Sequence, residues 1–211
     1  PENPFVPSSP EDRAASSQKI LSVEDIGETI AKPNRQGKTV VLAHGVFDLI
    51  HVGHLRHLKE AAELGDILVV TITEDEKVNK GPGRPVFSEQ LRAEMLAALE
   101  IVDFVGINRH ASAENIINTI QPDIYIKGPD YANEDDDITG KISVEQQAVE
   151  KNGGRVVFTD DITFSSSTLI NQYLDVYDPE LQDFLHDARG RDAISQIHTA
   201  ISAIENMKVL V

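Results

Sequence analysis

The chain has 211 residues, of which 40% are apolar, and no cysteine. It can bury a core, while disulfides, cysteine nucleophiles and cysteine-ligated metals are excluded. Its 35 acidic against 19 basic residues give a net charge of -16, a field that disfavours nucleic acid and acidic membrane as partners and leaves any phosphate ligand to local donors or an accompanying cation.

Residues 1–18 are rich in Pro, Ser and charge and read as a disordered lead-in. Over 19–31, Ile20, Leu21, Val23, Ile26 and Ile30 take amphipathic helical spacing, and Pro33 to Gly37 is a turn. Thr39-Val40-Val41-Leu42-Ala43 is a short β-branched run, read as a buried strand. A polar segment, His44 to His57, follows, and Leu55, Leu58, Ala61, Ala62 and Leu64 predict a helix over 54–64. A strand over 67–72 leads to a loop, Thr73 to Phe87, carrying Lys77, Lys80, Gly81, Gly83 and Arg84. Ser88 is placed to N-cap a helix over 89–99. Then come a strand at 102–107, a helix at 112–120 and a strand at 123–127, which runs into Gly128-Pro129-Asp130-Tyr131. An acidic loop, Glu134 to Asp137, precedes a helix over 142–151 closed by Asn152-Gly153-Gly154. A strand at 155–158 follows, and Ser165 to Thr168 opens a helix over 168–174.

Five strands alternating with helices predict an α/β fold: a doubly wound, Rossmann-like parallel five-stranded sheet spanning 19–176, with a C-terminal helical extension. In that extension, 177–206, Leu181, Phe184, Leu185 and Ala188 form one apolar face and Ile194, Ile197, Ile201 and Ile204 another. Such helices pack on their own domain or pair with a second copy, so a homodimer is expected. Residues 207–211, Met-Lys-Val-Leu-Val, read as the opening strand of a further domain. No apolar stretch is long enough to cross a bilayer and the N-terminus lacks a signal-type apolar region, so a cytoplasmic protein without membrane contact is expected.

Four motifs carry chemistry. The first is Gly45-Val46-Phe47-Asp48-Leu49-Ile50-His51-Val52-Gly53-His54. It lies between the C-terminal end of a strand and the start of a helix, where free N–H groups and the helix dipole favour anions. His51 and His54 can both face a phosphate there, and Gly53 allows close backbone approach. Metal binding is the weaker reading, because no acidic third ligand follows at helical spacing. Surface or core histidines are the plainest one, but four in fourteen residues with matched glycines argue against it. The second motif is Ser166-Ser167-Thr168 at a helix start, an ordinary N-cap when taken alone and a second anion site when paired with the first. The third is the set of cations Lys80, Arg84 and Arg92, with Lys77 as a weaker member. Each alone reads as a solvated surface charge, but an arginine in the first turns of a helix is electrostatically misplaced unless an anion lies nearby. The fourth is Lys127-Gly128-Pro129-Asp130-Tyr131 at a strand end. It is either a plain turn or a site where Lys127, Asp130 and Tyr131 meet an acceptor.

These residues resemble the signature of the cytidylyltransferase-like (HxGH) nucleotidyltransferase superfamily. The likeness is greatest to the nucleotidyltransferase domain of bifunctional ADP-heptose synthesis enzymes. Gly83-Arg84-Pro85-Val86, Glu89 to Arg92, Ala98 to Asp103, Pro122 to Gly128, Asp130-Tyr131 and Gly153-Gly154 support that subgroup, and the likeness runs over about residues 19 to 174.

The resemblance implies transfer of a nucleoside monophosphate from ATP or CTP to a sugar phosphate, with pyrophosphate leaving and surface-glycan precursors as the purpose. ATP is preferred, and a polyol phosphate such as glycerol phosphate with CTP is the alternative. It also implies roles. His51, His54 and Arg92 would be catalytic. Gly45, Val46, Phe47, Asp48, Gly53, Lys80, Arg84, Ser166, Ser167 and Thr168 would bind nucleotide and phosphate. Lys127, Asp130 and Tyr131 would bind the acceptor. Mg²⁺ would ride on the β/γ oxygens with no protein side chain assigned to it, and a sugar kinase domain would belong to the same polypeptide.

The sequence departs from the family at several points. His44 stands where many relatives of this subgroup have asparagine, and Pro129 where glycine is usual. The arginine of the Arg-Thr-Glu-Gly-Ile-Ser-Thr element of glycerol-phosphate and choline-phosphate cytidylyltransferases is missing before Ser165. Asn171 replaces the arginine that ends Ser-Ser-Thr-x-Ile-Arg in the coenzyme A and nicotinamide branches. His44 is expected to touch the nucleotide and His57 to sit on the helix surface. A non-catalytic nucleotide-binding module is a different class of function, and intact His51 and His54 argue against it. An aminoacyl-tRNA synthetase is excluded by the short, acidic chain and the missing Lys-Met-Ser-Lys-Ser loop.

Overall fold

The computed structural model describes residues 18–81, 83–110, 112–128 and 142–159. The chain divides into two compact units, Pro1–Thr168 and Leu169–Val211, and the described residues belong to the first. The expectations for 1–17, for the helix at 168–174, for the extension at 177–206 and for 207–211 lie outside the described residues.

The β-branched runs form five strands: β1 (Val40–Gly45), β2 (Ile67–Thr73), β3 (Phe104–Asn108), β4 (Ile124–Lys127) and β5 (Arg155–Phe158). The helices between and around them are α1 (Val23–Thr29), α2 (Val52–Glu63), α3 (Glu89–Ala97), α4 (Glu114–Ile120) and α5 (Ile142–Lys151). All pairings are parallel and the strand order is β3-β2-β1-β4-β5. The chain winds outward from β1 in one direction, then returns beside β1 to wind in the other, so the topological switch point lies between β1 and β4. Alternate strand residues face two separate cores. Val41, Ala43, Val70, Ile72 and Ile126 pack with α2 and α3, while Val40, Leu42, Val69 and Tyr125 pack with α1, α4 and α5. A sheet covered on both faces explains why its strands read as nearly continuous apolar runs.

The N-terminal edge of the sheet is held by one recurring device. Asp66, Asp103 and Asp123 each stand one residue before a strand, and each carboxylate accepts an N–H from the start of the neighbouring strand. The donors are Thr39 at 2.8 Å, Leu68 at 2.7 Å and Val40 at 2.8 Å. These bonds pin register, because a slip of one residue would move every side chain to the wrong face. Arg35, 5% exposed, joins the same edge through Asp123 Oδ2 at 3.2 Å and the Ile120 and Gln121 carbonyls at the end of α4.

Several boundaries differ from expectation. The helix expected from 19 begins only at Val23, because Ile20 forms a parallel bridge to Val105 and Ser22 is the N-cap, accepting the Asp25 N–H at 3.0 Å. β3 begins at Phe104 rather than 102, since Val102 closes a turn onto the Leu99 carbonyl and Asp103 serves β2. β1 runs two residues further than expected, to Gly45, and α2 starts two residues earlier, at Val52. Both shifts shorten the connection that carries the histidines.

Candidate functional site

The β1–α2 connection lies at the C-terminal edge of the sheet. Phe47 turns it sharply, with φ of 49° in the left-handed region that non-glycine residues rarely occupy. The turn folds the Phe47 ring back over Gly45, where a Cβ would stand 3.1 Å from Phe47 Cε2, so a larger residue at position 45 would press on the ring. The same ring lies 5.1 Å from the His54 ring, tilted by 56°.

His51 is the N-cap residue of α2 and makes no side-chain capping bond. The first helical bond runs from Leu55 N–H to the His51 carbonyl at 3.1 Å, and helix geometry leaves the N–H groups of Val52, Gly53 and His54 without intrahelical partners. The His51 and His54 rings stack with centroids 3.9 Å apart and planes 25° from parallel. Burial lowers the pKa of His51. Burial also lowers that of His54, to about 4, helped by the positive fields of His51, His57 and Lys80 and opposed by a hydrogen bond to the Leu49 backbone. Both imidazoles are therefore neutral near pH 7. The pair sits at an uncapped helix start with its δ nitrogens buried.

Asp48, Arg84 and Arg92 make extensive polar contacts within the protein. Asp48 is 1% exposed and accepts Arg84 Nε at 2.6 Å, Val86 N–H at 2.7 Å and Phe87 N–H at 3.2 Å. It clamps the Gly83–Phe87 segment over the β1–α2 turn. Arg84 is buried against it, with its Nη2 making no hydrogen bond. Arg92 is fully buried. Its guanidinium donates to the carbonyls of Phe87 at 3.0 Å, Val46 at 2.5 Å and Thr73 at 2.8 Å, and to Asp75 Oδ1 at 2.6 Å. It ties the ends of β1 and β2 to α3, and Asp75 supplies the negative charge that an arginine near a helix start requires. Within the protein Arg92 thus makes anchoring contacts. Val46 meets this anchor through its carbonyl, Gly53 lies in the first turn of α2, and Lys80 is exposed within electrostatic reach of His54.

Across the switch point, Lys127 is nearly buried at the end of β4. Its ammonium pairs with Glu145 Oε2 of α5 at 2.8 Å and lies 4.9 Å from the Tyr125 ring centroid. Glu145 also accepts Tyr125 O–H at 2.9 Å and Ala113 N–H at 3.4 Å. Burial pushes the Glu145 pKa up, but Lys127, His44 and Tyr125 outweigh it and leave the carboxyl below its usual range. His44 is half-buried at the end of β1, and its Nδ1 lies 3.0 Å from Thr71 Oγ1 on the neighbouring strand. His57 is half-buried rather than on the helix surface. Its Nδ1 is 3.1 Å from Thr159 Oγ1, and burial together with Lys127 lowers its pKa to about 4.

Asp130, Tyr131, Ser166, Ser167 and Thr168 lie outside the described residues. Among the described residues, no three His, Asp or Glu side chains converge to hold a metal, and no helix is long and apolar enough to cross a membrane. Sequence reasoning missed Glu145, Thr71 and Thr159. Glu145 carried a signal: it stands three and four residues before Ala148 and Val149, on the buried stripe of its helix.

The cytidylyltransferase-like family model matches residues 42–173. The protein called bifunctional protein HldE of Syntrophotalea carbinolica is 40% identical over 163 residues, covering 76% of this chain and 32% of that protein. The HldE protein of Campylobacter fetus is 42% identical over 121 residues, covering 56% of this chain and 26% of its own length. The chain thus spans about a third or less of the curated relatives it matches. The solved lipopolysaccharide core biosynthesis protein of Thermoplasma volcanium superposes with a TM-score of 0.51 at 28% identity, over 60% of this chain and 100% of that one. A pantoate-beta-alanine ligase from Francisella tularensis, at 14% identity and the same TM-score, covers 72% of each chain and shares the fold. With the histidine motif at the start of α2 and a Rossmann-like sheet around it, the chain belongs to the cytidylyltransferase-like family of nucleotidyltransferases.

Proposed function

We propose that this domain transfers a nucleoside monophosphate, preferentially from ATP, to a sugar phosphate, in a cytoplasmic route to surface-glycan precursors. The observation that carries the reading is the stacked, neutral His51–His54 pair at the uncapped start of α2, beside the switch point. A sugar-phosphate oxygen attacks the α-phosphorus in line and pyrophosphate leaves, with no covalent enzyme intermediate. Such a reaction asks the protein for position and charge stabilisation. Backbone N–H groups of the first turn of α2 and imidazole N–H groups meet the α-phosphate and the bridging oxygen. Lys80 adds positive charge nearby, and the buried Nη2 of Arg84 is a further donor suited to an anion. As charge builds on the leaving pyrophosphate, it raises the pKa of the adjacent imidazoles and strengthens their hydrogen bonds.

The carboxylate closest to this turn in sequence, Asp48, is fully occupied by Arg84 and two backbone N–H groups. In this reading Mg²⁺ enters as part of the metal–nucleotide substrate, with Asp48 serving the protein's own donors. The names of the relatives support a bifunctional polypeptide, and we assign the other activity to a sugar kinase region.

The test is pyrophosphate release by the wild-type chain with ATP or CTP against a panel of sugar and polyol phosphates. Release with ATP and a sugar 1-phosphate supports the reading. Release with CTP alone and glycerol phosphate moves it to the polyol branch. Nucleotide binding without release under any pair makes the domain a binding module. In the same assay His54→Ala lowers turnover by about 10²- to 10⁴-fold while the fold is kept; wild-type turnover in that variant rejects the assigned role.

A further inference from the structure

The buried Lys127–Glu145 pair at the end of β4 is not explained by stability. Replacing a buried ion pair with apolar residues of similar size is commonly neutral or stabilising, because two charges lose their water. Here the cost is accepted at one particular place. Lys127 leaves β4 beside the end of β1, at the switch point, where α/β sheets hold their ligands. Glu145 comes from α5, on the opposite face of the sheet from α2. Its carboxylate has no freedom of its own: the Tyr125 hydroxyl and the Ala113 N–H fix it, and Lys127 completes it. The Lys127 ammonium in turn influences His57, one helical turn after His54. The cation is thus held at the sheet edge between the acid behind it and the histidine helix in front.

We propose that Glu145 is a positioning residue, which fixes the Lys127 ammonium so that the anionic acceptor meets a preorganised cation. The proposal rests on the transferase reading above. A lysine on a flexible four-carbon stem loses rotamer freedom when it grips an anion, and binding gains when that loss has already been taken in folding. A carboxylate anchored by two other donors is suited to do this, whereas an unanchored one would move with the lysine. Glu145 acts on acceptor binding through the Lys127 ammonium that it holds.

The test uses Glu145→Gln and the double variant Lys127→Met/Glu145→Gln in the full chain, in which the amide oxygen remains an acceptor for the buried Tyr125 hydroxyl, with heptose 1-phosphate as the acceptor probe. The double variant removes both charges together, so no unpaired buried charge remains and the fold is kept. Thermal melting and the nucleotide KM report on fold and nucleotide site. The double variant is expected to melt at or above the wild-type temperature and to keep its nucleotide KM within twofold, with an acceptor KM raised at least tenfold. Glu145→Gln raises the acceptor KM at least fivefold while kcat falls less than threefold. A double variant with wild-type acceptor KM reduces the pair to a structural contact and overturns the proposal. If the wild-type protein releases pyrophosphate with no acceptor of the panel above, the transferase reading falls and this proposal with it, a result distinct from an unchanged acceptor KM in the double variant.

Discussion

Two histidines near the site make the fold acid-sensitive from pH 6.5 downward, beginning above the range in which carboxylates titrate. Burial lowers His54 and His57 from 6.5 to about 4. The unfolded chain therefore binds more protons than the folded one between these values, and stability falls as pH drops through that interval. The sign is opposite to that of a histidine held by a carboxylate: protonation here favours the unfolded state. Each ring contributes a loss of about 3 kcal/mol once the pH is below both values, and near pH 5 the two together give a slope of about 2.5 kcal/mol per pH unit. Urea unfolding at half-unit steps from pH 7 to pH 4.5 measures this slope. His57→Gln keeps a polar partner for Thr159 but cannot titrate, so the slope near pH 5 falls to about half. Stability that is flat between pH 6.5 and 4.5, or a slope unchanged in His57→Gln, would refute the claim that these rings are held neutral by burial.

Other substitutions separate anchors from ornament. Asp48→Ala leaves the Arg84 guanidinium buried without its counter-charge, and the expected loss is about 3–5 kcal/mol in urea unfolding; a loss under about 1 kcal/mol removes Asp48 as the clamp of the Gly83–Phe87 segment. Arg92→Lys cannot serve four acceptors that lie at the end of β2 and in the turns after β1, after β2 and before α3, so a loss of about 3 kcal/mol is expected despite the retained charge. A melting temperature equal to wild type would count against its anchoring role. Arg109→Ala, by contrast, removes contacts to Glu74 and Glu89 from a side chain that is 61% exposed, and the cost stays below about 1 kcal/mol. A larger drop in the same urea series would mean the Glu74 cluster is structural.

The architecture was legible because each strand is a short run rich in β-branched residues and the helices carry apolar stripes, with Ser22 and Ser88 capping two of them. Boundaries failed where a long-range contact decided them. Ile20 has helical spacing with Ile26 and Ile30, yet the sheet takes it through Val105. At the site, the histidine motif was legible because its meaning is local: a strand end, a turn and a helix start within fourteen residues. The arginines were not. Arg84 and Arg92 are loop and helix cations in the sequence, and nothing near them announces that their acceptors, Asp48 and the Val46 carbonyl, lie 36 and 46 residues away. Lys127 was recognised as chemically special, but its partner Glu145 was hidden on a helix whose apolar stripe seemed sufficient reason for its burial.

The placement of acids explains how a chain of net charge -16 can present an anion site. At the N-terminal edge of the sheet, Asp66, Asp103 and Asp123 serve backbone N–H groups and set strand register. Among the described residues, four acids at the C-terminal edge are matched: Asp48 by Arg84, Asp75 by Arg92, Glu145 by Lys127, and Glu74 by Lys77 and Arg109. Coulomb energy falls with distance and is screened by salt within about 10 Å. A ligand seated on α2 therefore responds to its own edge far more than to the total. There it meets the helix dipole, two neutral imidazoles and Lys80, against acids that are already paired. The excess negative charge weakens approach from afar without weakening the contact itself, and local pairing, rather than net charge, decides which polyanion the domain can hold.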